Sequence, residues 1–234
     1  MNKKVFFIHT IPALIPLFND LCKDLLPPEV EVVHIADEML ARIVVAQGSL
    51  SPFIYRRTAQ QVIAAEQAGA ALVQATCSSI SPCIEASKAF VDIPVLKIDE
   101  PMVRRAIQLG NRIGITATAL TTLGPTTELV HRIAQECDRK VNVSSVLCEG
   151  AYAALMSGNI ELHDQIVLKY LRELMTRVDV VLLAQASMAR VVEQMPVDEQ
   201  LIPILTSPRL AVTHIAEVLL GLSDRVLDVV HNQR

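Results

Sequence analysis

Apolar positions in this chain fall in short runs separated by amphipathic stretches. Lys4-Val-Phe-Phe-Ile-His-Thr10 and Val30 to Ile35 have the length and the β-branched or aromatic content of buried strands. Ile11-Pro12 begins a helix that runs to about Asp24. Ala36-Asp-Glu38 follows the second strand, and Ser51-Pro52 caps a long helix to about Gln67. Ala71 to Thr76 reads as another buried strand. Ser81-Pro82 then opens a helical pattern from Cys83 to Phe90, with Ser81 as N-cap and Pro82 at the first helical position. Pro94 to Ile98 is the next strand. Strands alternating with helices predict βαβ units and a parallel sheet.

At Asn111-Arg-Ile-Gly-Ile-Thr116 the pattern starts over. Lys4-Val-Phe-Phe-Ile matches Arg112-Ile-Gly-Ile-Thr at an offset of 108, and Ala71-Leu-Val-Gln-Ala-Thr-Cys77-Ser-Ser79 matches Asp179-Val-Val-Leu-Leu-Ala-Gln185-Ala-Ser187 at the same offset. Ile93-Pro-Val-Leu matches Ile202-Pro-Ile-Leu at 109, and the helices Ser51 to Gln67 and Glu161 to Arg177 fall in register. Three ordered matches at nearly one offset predict a duplication. The fold class expected is α/β: two similar Rossmann-like lobes with parallel sheets, related by a pseudo-two-fold, with a ligand site in the cleft between them. Residues 1–99 plus 213–234 are assigned to the first lobe and 100–212 to the second. No Gly-, Pro- or Ser-rich linker separates them, so the lobes are expected to pack as one body.

Composition narrows the function classes. The 234 residues are 51% apolar and 20% charged, enough for a sizeable core in one large or two small domains. Eight aromatics without Trp, a formal charge of -4 and no Lys/Arg cluster argue against a nucleic-acid partner. No run of 18 apolar residues exists and no signal peptide is read, so neither membrane span nor export is expected. Five cysteines (Cys22, Cys77, Cys83, Cys137, Cys148) form an odd, unpatterned set that suits reduced thiols in the cytoplasm. No CxxC, HExxH or His/Cys cluster points to a metal, and neither GxxxxGK[ST] nor GxGxxG to a phosphate loop.

The candidate chemistry centres on Cys77. It stands at the carboxyl end of a predicted strand just before a helix N-terminus, where open α/β sheets bind ligands and where a carboxylate is held or a thiol pKa lowered. Position alone leaves two readings open: a small buried hydrophobe, or a reactive thiol. In the second half, the threonines of Thr116-Ala-Thr118-Ala-Leu-Thr121-Thr122-Leu-Gly124-Pro125 precede a helix. Their hydroxyls and backbone N–H groups suit a carboxylate, although capping and turn chemistry explain many such clusters. Thr10, Ser78, Ser79 and Ser187 stand at the ends of the matching strands and complete the expected binding set with Thr116, Thr118, Thr121 and Thr122. His9 lies near the expected cleft, as an acid/base or as a satisfied structural residue. Asp99 and Glu100 either orient the thiol or cap a helix. Glu149 at a strand end is open in role. Arg56-Arg57 either reaches an anion or lies on a solvated helix face. Cys22, Cys83, Cys137 and Cys148 are read as packing residues.

Three stretches carry a resemblance. Arg112-Ile-Gly-Ile-Thr-Ala-Thr118-Ala-Leu-Thr121 looks like a strand–turn of the aspartate/glutamate/hydantoin racemase superfamily. Ala75-Thr-Cys77-Ser-Ser resembles that superfamily's first-lobe cysteine motif, and Gly150-Ala-Tyr-Ala-Ala-Leu is similar to its sequence before the long helix. The likeness spans nearly the whole chain. It implies two α/β lobes around a cofactor-free site and a small carboxylic-acid substrate, and it makes a homo-oligomer the expected assembly. It also implies a function among amino-acid and hydantoin racemases, maleate isomerases and arylmalonate decarboxylases.

The departure lies in the second lobe, where those racemases carry a second cysteine. Here Gln185 stands in its place, as the repeat register indicates independently. Glutamine has no proton to transfer near neutral pH. With Cys77 as the single proton carrier, one-sided chemistry fits: decarboxylation followed by protonation, or thiolate attack on an alkene or carbonyl. The expected catalytic pair is therefore Cys77 with Gln185 as a hydrogen-bonding partner. A lyase, and a non-catalytic binding protein, are kept as rivals to a racemase-like enzyme.

Overall fold

The structure, a computed structural model, describes residues 3–231; residues 1–2 and 232–234, which the expected lobe boundaries include, lie outside the described residues. Two four-stranded parallel sheets form the framework. The first has the order β2-β1-β3-β4, from β1 (Lys4–His9), β2 (Glu31–Ala36), β3 (Ala70–Ala75) and β4 (Val95–Lys97). The second has the order β6-β5-β7-β8, from β5 (Arg112–Ala117), β6 (Asn142–Leu147), β7 (Val180–Leu183) and β8 (Ile204–Thr206). The duplication reaches the level of pairing: Ile8 is opposite Ala75 in one sheet and Thr116 opposite Leu183 in the other, both 108 residues apart across the repeat.

The central strands are covered on both faces, which is why they read as unbroken apolar runs rather than alternating ones. In β1 the period of two still sorts the faces. Phe6 and Ile8 pack with the helices α2 (Glu38–Gln47), α3 (Pro52–Gln67) and α4 (Ser81–Ser87). Val5 and Phe7 pack with α1 (Ile15–Leu25) and, from the far end of the chain, α10 (Ser207–His231). In the second lobe Ile113, Ile115 and Ala117 pack with α5 (Glu100–Leu109) and α6 (Leu120–Glu136). Val181 and Leu183 pack with α7 (Ala151–Met156), α8 (Ile160–Met175) and α9 (Ala189–Gln194).

The helix after each last strand crosses to the other lobe. Met102, Val103, Ala106 and Ile107 of α5 enter the core of the second sheet, while Ala211, Val212, Ile215 and Leu219 of α10 enter that of the first. Burial of each set stabilises the opposite lobe, so the two sheets are tied by their cores as well as by the chain. Among the described residues no helix is long and apolar enough to cross a membrane.

Two local expectations are corrected. Ser81 is not the N-cap of α4: Ile80 holds that position, because a short 3-10 turn, Ser78–Ile80, precedes the helix, and the Ser81 hydroxyl turns to Asp99 instead. The stretch after Glu38, given no element from sequence, forms α2. Asp37 stands at its N-cap and Gly48 closes it in the left-handed region at φ 65°, a conformation that favours glycine.

Gly110 joins α5 to β5. Its backbone is extended, so its conformation suits any residue, yet a Cβ there would lie 2.4 Å from Cβ of Asp179. Asp179 accepts hydrogen bonds from the backbone N–H groups of Asn111 and Arg112 at 3.1 and 2.8 Å. Gly110→Ala should therefore lower stability by about 1–3 kcal/mol through overpacking, although Gly→Ala at an open site commonly stabilises. Urea unfolding midpoints of the two proteins check this; an unchanged midpoint refutes it.

Candidate active site

Both sheets end their third strands in the same way. Cys77 lies two residues past β3, extended at φ -136° and ψ 117°, and leads into the 3-10 turn Ser78–Ile80 and then α4. Gln185 lies two residues past β7, at φ -130° and ψ 132°, and leads into the 3-10 turn Ala186–Met188 and then α9. The same chain path thus delivers a thiol from one lobe and an amide from the other, and both line one cavity of about 680 Å³ between the lobes.

Eight of the sequence-derived candidates line this cavity: Thr10, Cys77, Ser78, Ser79, Thr121, Thr122, Gln185 and Ser187. Thr116 and Thr118, expected to contact a carboxylate, do not. Thr116 is the fifth residue of β5, fully buried, with its hydroxyl 3.0 Å from Sγ of Cys148. Thr118 is buried behind the wall, and its backbone N–H and hydroxyl both donate to Oε1 of Gln185, the hydroxyl at 2.8 Å. Because a backbone N–H can only donate, these bonds fix which amide atom is the oxygen. The N–H donors of Gln185 make no hydrogen bond among the described residues.

The hydroxyls of Thr10, Thr121 and Ser187 are buried without a hydrogen-bond partner among the described residues. An unpaired buried hydroxyl costs free energy, and such groups clustered on one cavity are what a polar ligand would satisfy. Thr121 also lies in the first turn of α6, whose leading N–H groups lack helical acceptors and favour an anion. Ser79 Oγ and Thr122 Oγ1 meet at 3.0 Å, a contact from one lobe to the other at the cavity wall.

The turn carrying Cys77 is held from behind by Asp99. This carboxyl is fully buried and accepts from Ser81 Oγ at 3.1 and 3.4 Å. It stands at the N-cap of α5 but makes no side-chain cap bond there, so its role is the turn and not the helix end. Burial pushes its pKa up, against the opposing pull of Lys97 and the serine hydroxyls. Glu100 pairs with Arg104 at 2.7 Å, and Glu149 is exposed and off the cavity. Arg57 pairs with Asp37 at the start of α2, while Arg56 is exposed. Cys22 and Cys83 are buried, which pushes both thiols up to about 12; Cys148 is buried and raised for the same reason, while Cys137 is exposed.

His9 does not line the cavity. Its Nδ1 lies 3.0 Å from Oγ1 of Thr76 and its Nε2 2.9 Å from Nδ1 of His34, whose Nε2 lies 3.0 Å from Oδ1 of Asn19. Burial, with the neighbouring His34, lowers the His9 pKa to about 4, so the ring is neutral at pH 7. Above pH 6.5 the ring is neutral in both folded and unfolded chains. Between pH 6.5 and 4 the unfolded chain takes up a proton that the folded one refuses, and stability falls with pH by up to roughly 3 kcal/mol. Burial lowers the His34 pKa too, which adds to the same limb. Urea midpoints at pH 7 and 4.5 should therefore differ less in His9→Phe than in the native chain; an equal drop refutes the assignment.

Several cavity residues were not anticipated. Glu38, Arg42 and Val45 come from α2, Tyr152, Leu155 and Met156 from α7, and Arg190 and Glu193 from α9. The apolar spacing of Glu38 to Gln47 between Asp37 and Gly48 is a helix signal that would have found the first group. Arg190 is held by Asp164, Nη2 to Oδ1 at 2.7 Å. Among the described residues no group of three or more His, Cys, Asp or Glu is arranged to hold a metal ion.

Two duplicated α/β lobes, with a thiol and an amide presented from equivalent strand ends to one cleft, define a class of two-lobed, cleft-forming proteins. Within it, residues 15–215 match the family described as Asp/Glu/Hydantoin racemase, and the chain belongs to that family. The same fold occurs in the glutamate racemase of Francisella tularensis subsp. tularensis, solved with D-glutamate (14% identity, TM-score 0.71, covering 95% of this chain and 82% of that one). It occurs also in the Picrophilus torridus aspartate racemase (14%, 0.68, 92% and 94%). The Klebsiella pneumoniae allantoin racemase has it too (15%, 0.65, 94% and 89%). No curated protein matches the chain in sequence.

Proposed function

We propose that this protein is a cofactor-independent, racemase-like enzyme that moves a proton at the carbon next to a carboxylate, with Cys77 as its acid/base. The observation that carries the reading is the pairing of Cys77 and Gln185 at equivalent positions of the two lobes on a single cavity, where the hydroxyls of Thr10, Thr121 and Ser187 lack partners among the described residues. Family membership and the racemase neighbours support the reaction class.

Cys77, as thiolate, takes the α-proton, and the electron pair left on carbon moves onto the substrate carboxylate. The charge that develops there is met by neutral donors already in place: the Thr121 and Ser187 hydroxyls and the Gln185 amide. Return of a proton completes the turnover. Gln185 has none to give, so the proton comes back from the thiol or from water in the cleft.

That same asymmetry favours a second reading, a one-thiol decarboxylase. There the bond to a departing CO2 breaks, its electron pair stays on the α-carbon, and the Cys77 thiol protonates that carbon on one face. Solvent restores the thiol proton. Incubation of amino acids, hydantoins and substituted malonates in deuterated water, followed by NMR, separates the readings. Deuterium uptake at the α-carbon without loss of CO2 supports the first, and release of CO2 with deuterium on one face supports the second. Neither outcome with any candidate refutes both.

A further inference from the structure

The cavity's charge pattern bears on what it holds. The charged side chains that line it are Glu38, Arg42, Arg190 and Glu193. Each arginine already faces a carboxylate. Arg42 gives Nε and Nη2 to Oε1 of Glu38 at 3.1 and 2.6 Å. Arg190 gives Nε and Nη2 to the Asp164 carboxylate at 2.7–3.2 Å. Glu193 is exposed and adds negative charge. A ligand with two carboxylates would therefore find neutral donors for one of them, while the other would compete with Glu38 or Asp164 for an arginine.

The rest of the wall is apolar. Leu14 and Leu17 line it from one side, Val45 of α2 and Leu155 and Met156 of α7 from others. Val45 and Met156 are 38% and 51% exposed, apolar surface that an apolar ligand would take out of water. The volume of about 680 Å³ lies within the usual range for sites that enclose a drug-sized molecule, roughly 300–1,000 Å³. It far exceeds what a four- or five-carbon diacid fills.

We infer that the cleft takes a carbon acid with one acidic group and a bulky apolar substituent, and that Val45 and Met156 select for that substituent over dicarboxylic amino acids. The inference rests on the proposed reading for its chemistry but is tested by binding alone. The acidic group sits on the hydroxyls of Thr10, Thr121 and Ser187, and the substituent extends between α2 and α7.

Calorimetric titration of the full chain with 2-phenylpropionate, glutamate and succinate tests it. The aryl monoacid should bind at least about tenfold more tightly than either diacid. Val45→Glu with Met156→Glu should weaken it by a similar factor. Both positions are solvent-exposed, so the unfolding midpoint of the free protein should stay the same, and Thr10→Val gives a second, uncharged test from the polar end. Equal or tighter binding of glutamate or succinate overturns the inference, as does absence of phenylpropionate binding at millimolar concentration. Unchanged affinity in the double variant overturns the roles of Val45 and Met156. The chemistry is read separately: Cys77-dependent deuterium uptake into glutamate would sink the substrate class and leave the proton transfer standing. Tight binding of phenylpropionate with no exchange into any candidate would do the reverse.

Discussion

Cys77→Ala is expected to abolish solvent-deuterium uptake at the substrate α-carbon, lowering kcat by about a thousandfold or more, because in the proposed mechanism it removes the group that carries the proton. The fold should survive. Cys77 is half-buried at the cavity wall and only flanks the first-lobe core, so the loss of one sulfur leaves no large void. Cys77→Ser is the sharper test. Serine keeps the shape and the hydrogen-bonding capacity, but its hydroxyl is not ionised near neutral pH, so proton transfer predicts the same loss and a packing role predicts little. Alkylation gives an independent measurement. Cys22, Cys83 and Cys148 are buried with raised pKa values, which leaves Cys77 and the exposed Cys137 to react. In a Cys137→Ser background, iodoacetamide should modify one thiol, destroy activity, and be slowed by bound ligand. Retained activity in Cys77→Ala would overturn the mechanism.

Gln185 carries the second large effect. Gln185→Ala should lower kcat by about a hundredfold, the usual cost of losing one donor to developing oxyanion charge. The amide oxygen is anchored by the backbone N–H and hydroxyl of Thr118, so the donors can only face away from that anchor. Thr118→Val should reproduce part of the loss by freeing the amide to rotate, although Thr118 does not line the cavity. Gln185→Cys supplies a titratable group at the position equivalent to Cys77. It should turn one-sided exchange into exchange with inversion, read by following both enantiomers of a chiral substrate in deuterated water. A Gln185→Ala variant with native kcat would show that the amide is structural.

The duplication was legible because it is written in runs of sequence. Lys4-Val-Phe-Phe-Ile and Arg112-Ile-Gly-Ile-Thr are unbroken because both faces of a central parallel strand are covered, and the structure places both strands in the middle of their sheets. The register that set Cys77 against Gln185 follows from the same runs. What escaped was less periodic or more distant. The helix α2 is bounded by plain start and stop residues, Asp37 and Gly48, yet it lies between two strong strand and helix signals. Thr116 and Thr118 sit in a hydroxyl-rich stretch where the sequence marks them as equal to Thr121 and Thr122. Thr116 lies inside β5 and Thr118 just past it with its hydroxyl on Gln185, whereas Thr121 and Thr122 lie in the first turn of α6, and that placement decides which of them line the cavity.

By itself, then, the sequence determined the α/β class, the repeat, the thiol at the end of the third strand and the missing second thiol, because each depends on local pattern or on residue identity. The tertiary structure decided the rest. It set Asp99 behind the Cys77 turn, hid His9 against His34 and Thr76, paired Arg190 with Asp164, and sent α5 and α10 into each other's lobes. These are contacts between residues far apart in the chain. Their geometry follows from how the two sheets and their flanking helices pack, and no short-range pattern of hydrophobic and polar positions encodes it.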